Sequence, residues 1–210
     1  MKIEKLKIKN YKGGYTIIET MISISIFLIL IMIGMTTLMN AFSVHKKSQN
    51  MRSEMDNLSF ILEDMSRNMR TATQYHCIDN SNSDFSNIGV RRNSPVDGGG
   101  VRQLCWGIAF EAAGGDEAST GDQWVYYING GKIYKTDVND LINAIPLTPD
   151  EVVLNPVSGF YIFGAEAEVA PNKQQPFIKI ILAGNVLEKG VNSPFSLETL
   201  ISSRVIDNFY

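Results

Sequence analysis

Between Thr20 and Val44 the chain runs for 25 residues without a formal charge, and Ile, Leu, Met and Phe dominate the run. As an α-helix rising 1.5 Å per residue it would be about 37 Å long, enough to cross a hydrocarbon layer of about 30 Å with some tilt. A soluble core helix is not built from so long and uniform a run, so the spacing predicts a single membrane crossing. The first fourteen residues, MKIEKLKIKNYKGG, hold five Lys and one Glu. These outnumber Lys46 and Lys47 on the far side, so the positive-inside rule puts the N-terminus in the cytoplasm and the larger C-terminal part outside. The charge is segregated: the whole chain carries 19 basic and 22 acidic residues, net -3, and without its leader the remainder reaches -7. A body of that charge has no basic field with which to hold nucleic acid.

A secretory signal is cleaved after its apolar run, next to small residues. Here that region reads TTLMNAFS, a poor match. The informative residues lie before the run, in KGGYTIIE from Lys12 to Glu19. A basic leader ending in Gly, an aromatic residue, an acidic residue four positions later and an apolar helix resemble the N-terminus of the type IV pilin superfamily. The resemblance covers roughly residues 10 to 45. It implies that Gly14 ends the leader, that Tyr15 becomes an N-methylated terminus after cleavage by prepilin peptidase, and that Glu19 serves in assembly. It also implies as partners other pilins or pseudopilins and the inner-membrane platform protein of the assembly machine, with an ATPase driving incorporation. Tyr15 stands where the family usually has Phe, and Thr36 stands where many major pilins have Pro. The missing Pro fits a minor subunit.

Glu19 makes physical sense in that reading. A carboxylate near the top of an apolar helix is costly unless paired. The new amino group at Tyr15 would lie four positions earlier on the same helical face, and a neighbouring subunit's amine could serve equally. The alternative is an interfacial Glu that snorkels to the headgroups.

Beyond the apolar run, Met51, Met55, Leu58, Leu62, Met65 and Met69 repeat at alternating steps of four and three. Such a stripe predicts that the helix continues to about residue 70 with one apolar face. Packing on its own domain is favoured over a coiled coil with a partner, because three heptads are short for the latter. Glu63 and Arg67 are oriented for an i,i+4 pair.

After residue 70, Gly, Asn, Ser and Asp clusters separate short runs rich in β-branched and aromatic residues. Residues 106–112 and 123–128 read as strands, and Asn129, Gly130 and Gly131 followed by KIYKTD read as a hairpin. Residues 159–169, 176–184 and 195–206 supply three more strands. In the last, Phe195, Leu197, Thr199, Ile201 and Val205 alternate with polar neighbours. The pieces predict an α+β fold, pilin-like, with the long helix against an antiparallel sheet. The organisation expected is a leader at 1–14, a membrane and filament-core helix at 15–44, an amphipathic half at 45–70 and an extracytoplasmic β-rich domain at 71–210.

Cys77 and Cys105 both fall outside the membrane, where oxidising conditions permit a disulfide; two free thiols is the alternative. The bridge would hold the stretch after the helix to the first strand. Zinc is not assigned, since His76 beside Cys77 plus Cys105 offers no paired CxxC spacing. No cofactor or metal ligand set emerges. Asp79, Ser81 and Ser83 mimic a calcium loop, but Asp84 takes the obligatory Gly position and Val90 the closing Glu position. The acidic loop with Asp116, Glu117 and Asp122 reads first as solvated and second as a loose calcium loop. Ser43 and Lys46 satisfy S-x-x-K by chance, and Gly130, Gly131 and Lys132 lack the rest of a phosphate loop. The reading is a non-catalytic subunit, a minor pilin or a type II secretion minor pseudopilin. The stripe ending LEDMSRNMRTA and the closing FSLETLISSR resemble W-type minor pilins and J-type minor pseudopilins, and Glu19 argues against the K-type tip subunit. A signal-anchored extracellular binding module that never polymerises is the alternative.

Overall fold

The computed structural model describes residues 13–79, 90–116, 119, 121–138, 143–165, 175–188 and 191–204. Its first element is α1, Ile17–Arg70, 54 residues of uninterrupted helix. Gly34, Thr36 and Thr37, the weak point of the sequence, sit in regular helix. The chain divides into two units, residues 1–49 and residues 50–210.

In the second unit, α1 buries Leu58, Ile61, Met65 and Met69, and Met51, Met55 and Leu62 pack partly against the same core. The helix therefore packs on its own domain. The structure adds Ile61 to the stripe, buried where Leu62 beside it is half-buried against the same core. At 100° per residue the two straddle the line through Leu58 and Met65, and the sheet beneath decides which one is covered. Each fully buried side chain of this size contributes about 1.5 to 3 kcal/mol. The predicted Glu63–Arg67 pair forms at 3.6 Å but is largely exposed to solvent and adds little.

A polar contact fixes the rotation of this half of the helix. Asn68 donates through Nδ2 to the Tyr126 hydroxyl at 2.8 Å and to Asp64 Oδ2 at 3.2 Å, and Tyr126 donates to the same Asp64 oxygen at 3.3 Å. Burial pushes the Tyr126 phenol well above the ordinary tyrosine range, so it stays a neutral donor. At the helix end, orphan carbonyls find partners. The buried Tyr75 hydroxyl donates to the oxygens of Met69 and Ala72, and the Arg204 N–H donates to Arg70 at 2.7 Å.

Among the described residues nine strands follow: β1 Thr73–Ile78, β2 Gly107–Glu111, β3 Trp124–Asn129, β4 Lys132–Asp137, β5 Ile145–Pro146, β6 Val152–Leu154, β7 Gly159–Phe163, β8 Phe177–Glu188 and β9 Val191–Ser202. The sequence predicts one antiparallel sheet, and the structure builds two. The first runs β1-β2-β3-β4-β5. In the second, β9 lines one edge of β8 along its whole length, while β6 and β7 pair with successive parts of β8. Every pairing between these strands is antiparallel. The β3–β4 hairpin turns on Gly130 and Gly131 at φ 56° and 77°, the left-handed pair that a two-residue hairpin of this twist requires.

Some strands differ from the sequence reading, the first two below for local reasons. β1 was not foreseen, because a bulge between Thr73 and His76, with Gln74 at φ 53°, breaks its alternation. β7 stops at Phe163, where Gly164 turns at φ 68°, and residues 166–169 of the predicted strand lie outside the described residues. The final strand spans 191–202 rather than 195–206. Phe195 and Ile201 are buried and Leu197 and Thr199 half-buried, as the alternation predicts, while Val205 lies outside the described residues.

Cys77 and Cys105 are joined in a disulfide. It does more than hold a loop, because Cys77 is itself in β1, and Cys105 exchanges backbone hydrogen bonds of 2.9 Å with Phe160 of β7. The bond thus ties the first sheet to the second. Ser94 reinforces the junction: its hydroxyl accepts the Ile162 N–H at 2.8 Å and lies 2.9 Å from the Cys105 sulfur. A side chain at Gly159 would place Cβ 2.5 Å from the Cys105 carbonyl oxygen, so only glycine lets the two segments cross. Both sulfurs are consumed in this bond, which removes the thiolates that zinc would need.

A bridge across a sequence separation of 28 stabilises by about 3 to 4 kcal/mol in the chain-entropy model. Reduction, or the paired change Cys77→Ser with Cys105→Ser, is expected to lower the melting temperature of the full chain in detergent by roughly ten degrees. A thermal melt with and without reductant checks this; an unchanged midpoint would show that the bond does not constrain the unfolded chain.

Candidate functional site at the helix N-terminus

Thr16 is the residue that starts α1. Its carbonyl accepts the first helical N–H bonds, from Glu19 and Thr20, both at 3.1 Å, and its hydroxyl lies 3.3 Å from the Glu19 N–H. Thr16 is therefore the N-cap and Glu19 the third helical residue, the T-x-x-E spacing of a capping box. The sequence reading missed this role of Thr16, although TIIE before an apolar run is the signal for it. Glu19 also lies in the first turn, where a carboxylate complements the helix dipole.

Gly13, Gly14 and Tyr15 precede the helix in extended or irregular backbone, and Tyr15 is 83% exposed. Among the described residues, a Cβ on Gly13 or Gly14 would meet nothing within 4 Å, and neither residue is among those with positive φ. The described part of the fold therefore gives no reason for glycine at either position.

Every residue from 13 to 49 is exposed, including the Ile, Leu, Met and Phe of the uncharged run. A helix with a mean hydropathy of 2.4 over its most apolar window is long and apolar enough to cross a membrane. An exposed apolar surface of this extent marks a membrane or partner site. The hydroxyls in the run support lipid exposure. Thr20 donates to the Ile17 carbonyl, and Ser23, Ser25, Thr36, Thr37 and Ser43 each donate to the carbonyl four residues earlier, at 2.8 to 2.9 Å. Hydroxyls bonded back to their own helix present no unmet polar group to hydrocarbon. Ser43, the first member of the chance S-x-x-K spacing, is committed to Met39 in this way.

Residues 9–35 match the prokaryotic N-terminal methylation motif. The motif contains Gly14, Tyr15 and Glu19 and ends within the apolar run, so the chain carries a type IV pilin-like prepilin signal. No curated protein and no solved structure matches the chain.

In the globular unit, two other features of the sequence reading can be placed. The acidic loop closes on itself, with the Asp116 N–H donating to Asp122 Oδ2 at 3.1 Å, a bond that holds the exposed Asp122 carboxyl below its ordinary value; Glu117 lies outside the described residues. His76 is buried, its ring Nδ1 paired with the Val90 carbonyl, and burial lowers its pKa. A shallow cavity of about 230 Å³ is lined by Trp124, Lys135, Thr136, Asp137, Asn143 and Ile145. The Lys135 ammonium already sits 3.8 Å over the Trp124 ring, which takes up the aromatic face a ligand would use.

Since Gly14 has no steric neighbour in the fold, Gly14→Val is expected to leave the melting temperature of the globular unit unchanged while blocking removal of the leader in the native host. Gel mobility and a thermal melt of the same variant check both halves; normal processing of Gly14→Val would mean that the Gly-Gly step has no part in recognition.

Proposed function

We propose that the chain is a minor type IV pilin or a type II secretion minor pseudopilin, a non-catalytic structural subunit. It would wait in the cytoplasmic membrane, N-terminus inside and globular domain outside, until a platform protein and ATPase incorporate it among other pilins or pseudopilins. The observation that carries the reading is the prepilin signal set directly before an exposed, uncharged helix, with glycines that the fold itself does not use.

In this reading prepilin peptidase hydrolyses the Gly14–Tyr15 bond, and the leader leaves with a new carboxylate while Tyr15 gains an amino group that is then methylated. Thr16 keeps the helix start intact after the cut, because its cap bonds reach forward into the first turn and not back to the leader. Glu19 is then the acidic partner for that amine on its own chain or on a neighbour. Removing one member of such a desolvated pair typically costs about 3 to 5 kcal/mol. Anchoring has no such need, since loss of a carboxylate from an apolar helix favours insertion. The unbroken helix across Gly34 and Thr36, and the W-type or J-type character of the later segments, support a minor subunit over a bulk one.

Membrane protein from the native host is expected to begin at N-methylated Tyr15, as read by intact mass. A retained leader, or cleavage after Ala41 beyond the apolar run, would reject the pilin reading in favour of a secretory signal or an anchored binding module.

Glu19→Val separates assembly from anchoring. Leader cleavage and membrane abundance should stay at the wild-type level, while co-purification with sheared filaments is lost. Equal incorporation of both forms would remove the charge-pairing mechanism.

A further inference from the structure

The cavity beside Trp124 is built by three neighbouring strands of the first sheet. Asp137 of β4 lies directly opposite Trp124 of β3, Lys135 lies opposite Tyr126, and Ile145 of β5 lies opposite Lys135. Directly paired residues put their side chains on one face of a sheet, and residues two apart on a strand share that face. Trp124, Tyr126, Lys135, Asp137 and Ile145 therefore stand together, and all of them except Tyr126 line the cavity.

The charges in this cavity are not spent on the protein. Of the other described lysines in the globular unit, Lys132 reaches the Pro149 carbonyl and Asp150, and Lys179 reaches Glu198. Half-buried Lys135 has only rings: its ammonium lies 3.8 Å from the centre of Trp124 and 5.7 Å from that of Tyr126. A ring attracts an ammonium through its quadrupole, yet it offers no oxygen to the three N–H donors. Asp137 is roughly 6.8 Å further along the strand, within reach of a lysine side chain. No ion pair joins the two among the described residues, because the ammonium is drawn onto the Trp124 ring instead. One cation and one anion thus face the same cavity with neither neutralising the other.

Size and charge narrow what would fill it. A volume of about 230 Å³ falls below the range of about 300 to 1,000 Å³ that takes drug-sized ligands, so the occupant is small. A polyanion would meet a single ammonium and be repelled by Asp137, whereas a ligand carrying one charge of each sign satisfies both groups. Ile145, 62% exposed, adds an apolar wall beside them.

We infer that the cavity binds a free α-amino acid with an apolar side chain, its carboxylate accepting from Lys135, its ammonium donating to Asp137 and its side chain lying against Ile145. Both ligand charges sit on one carbon, and a charge-assisted hydrogen bond of about 2.8 Å on either side lets so short a head group bridge two residues of one strand. The interior of a peptide carries no such adjacent pair of charges, so the site discriminates against chains by charge. Trp124 acts through Lys135: its ring holds the ammonium away from Asp137 and so keeps both available.

The test uses the full chain in detergent and depends on neither leader removal nor filament entry. Trp106 and Trp124 are the two tryptophans, so in a Trp106→Phe background the indole fluorescence reports on Trp124 alone. Titration with L-leucine should change that fluorescence saturably. Leucinamide lacks the carboxylate and N-acetyl-leucine lacks the ammonium, and each should bind about tenfold more weakly or worse, as loss of one charged hydrogen bond requires. Lys135→Met, which keeps an aliphatic stem on the ring, should weaken leucine binding to a similar degree, while Lys135→Arg restores it. Asp137→Asn should weaken leucine and leave N-acetyl-leucine unchanged. Unaltered melting temperatures of these variants would show that the loss lies in the site and not in the fold. No response to leucine, equal binding of the three compounds, a response that survives both Lys135→Met and Asp137→Asn, or tighter binding of inorganic phosphate or an acidic peptide than of leucine would each overturn the inference.

Discussion

One helix has to satisfy two environments. From Ile17 to Gln49 every α1 side chain is exposed, and the hydroxyls turn back onto their own backbone. From Leu58 to Met69 the same helix presents a narrow stripe to a protein core, with polar side chains on its other faces. The first stretch is apolar all round and the second on one side only, which is the difference between a surface that meets lipid and one that meets a sheet. The rest of the structure follows from this constraint. A domain that must be carried on such a helix has to grip it, and it does so with buried Met and Leu contacts, the Asp64–Asn68–Tyr126 contact and backbone bonds at Arg70.

The globular unit is held together by devices that act across its two sheets. The Cys77–Cys105 bond, the Cys105–Phe160 backbone exchange and Ser94 all converge on one junction between β1 and β7. A second junction joins the β3–β4 turn to β6 at Gly131 and Leu154. Neither junction lies within a single strand pair, so neither is visible in strand patterns. Both matter because short sheets bury little surface on their own, and linking them lets both share the core beneath α1.

At the N-terminus the functional signal is the part of the chain that folding leaves unexplained. The cap needs Thr16, and the helix dipole favours Glu19, so both have local structural uses. Gly13 and Gly14 have none among the described residues: they avoid no clash there and adopt no left-handed conformation. Small residues without steric cause fit a segment that must be read, extended, by another protein's active site. That is the sense in which the methylation motif and the geometry agree.

The amino-acid sequence by itself determined the long helix, its apolar and amphipathic halves, the Gly-Gly step before Tyr15, the β3–β4 hairpin and the inward face of β9. Each is local or strictly periodic, so the residue order carries it directly. Three things were decided only in the tertiary structure. Ile61 is buried more deeply than Leu62 because the sheet's position selects between two side chains flanking one line. β1 became a strand because β2 and Arg92 supply partners that its bulged, mixed pattern does not announce. The single expected sheet became two because pairing partners far apart in the chain, such as Cys105 with Phe160 and Leu154 with Gly131, are chosen by packing around a common core rather than by any short-range preference.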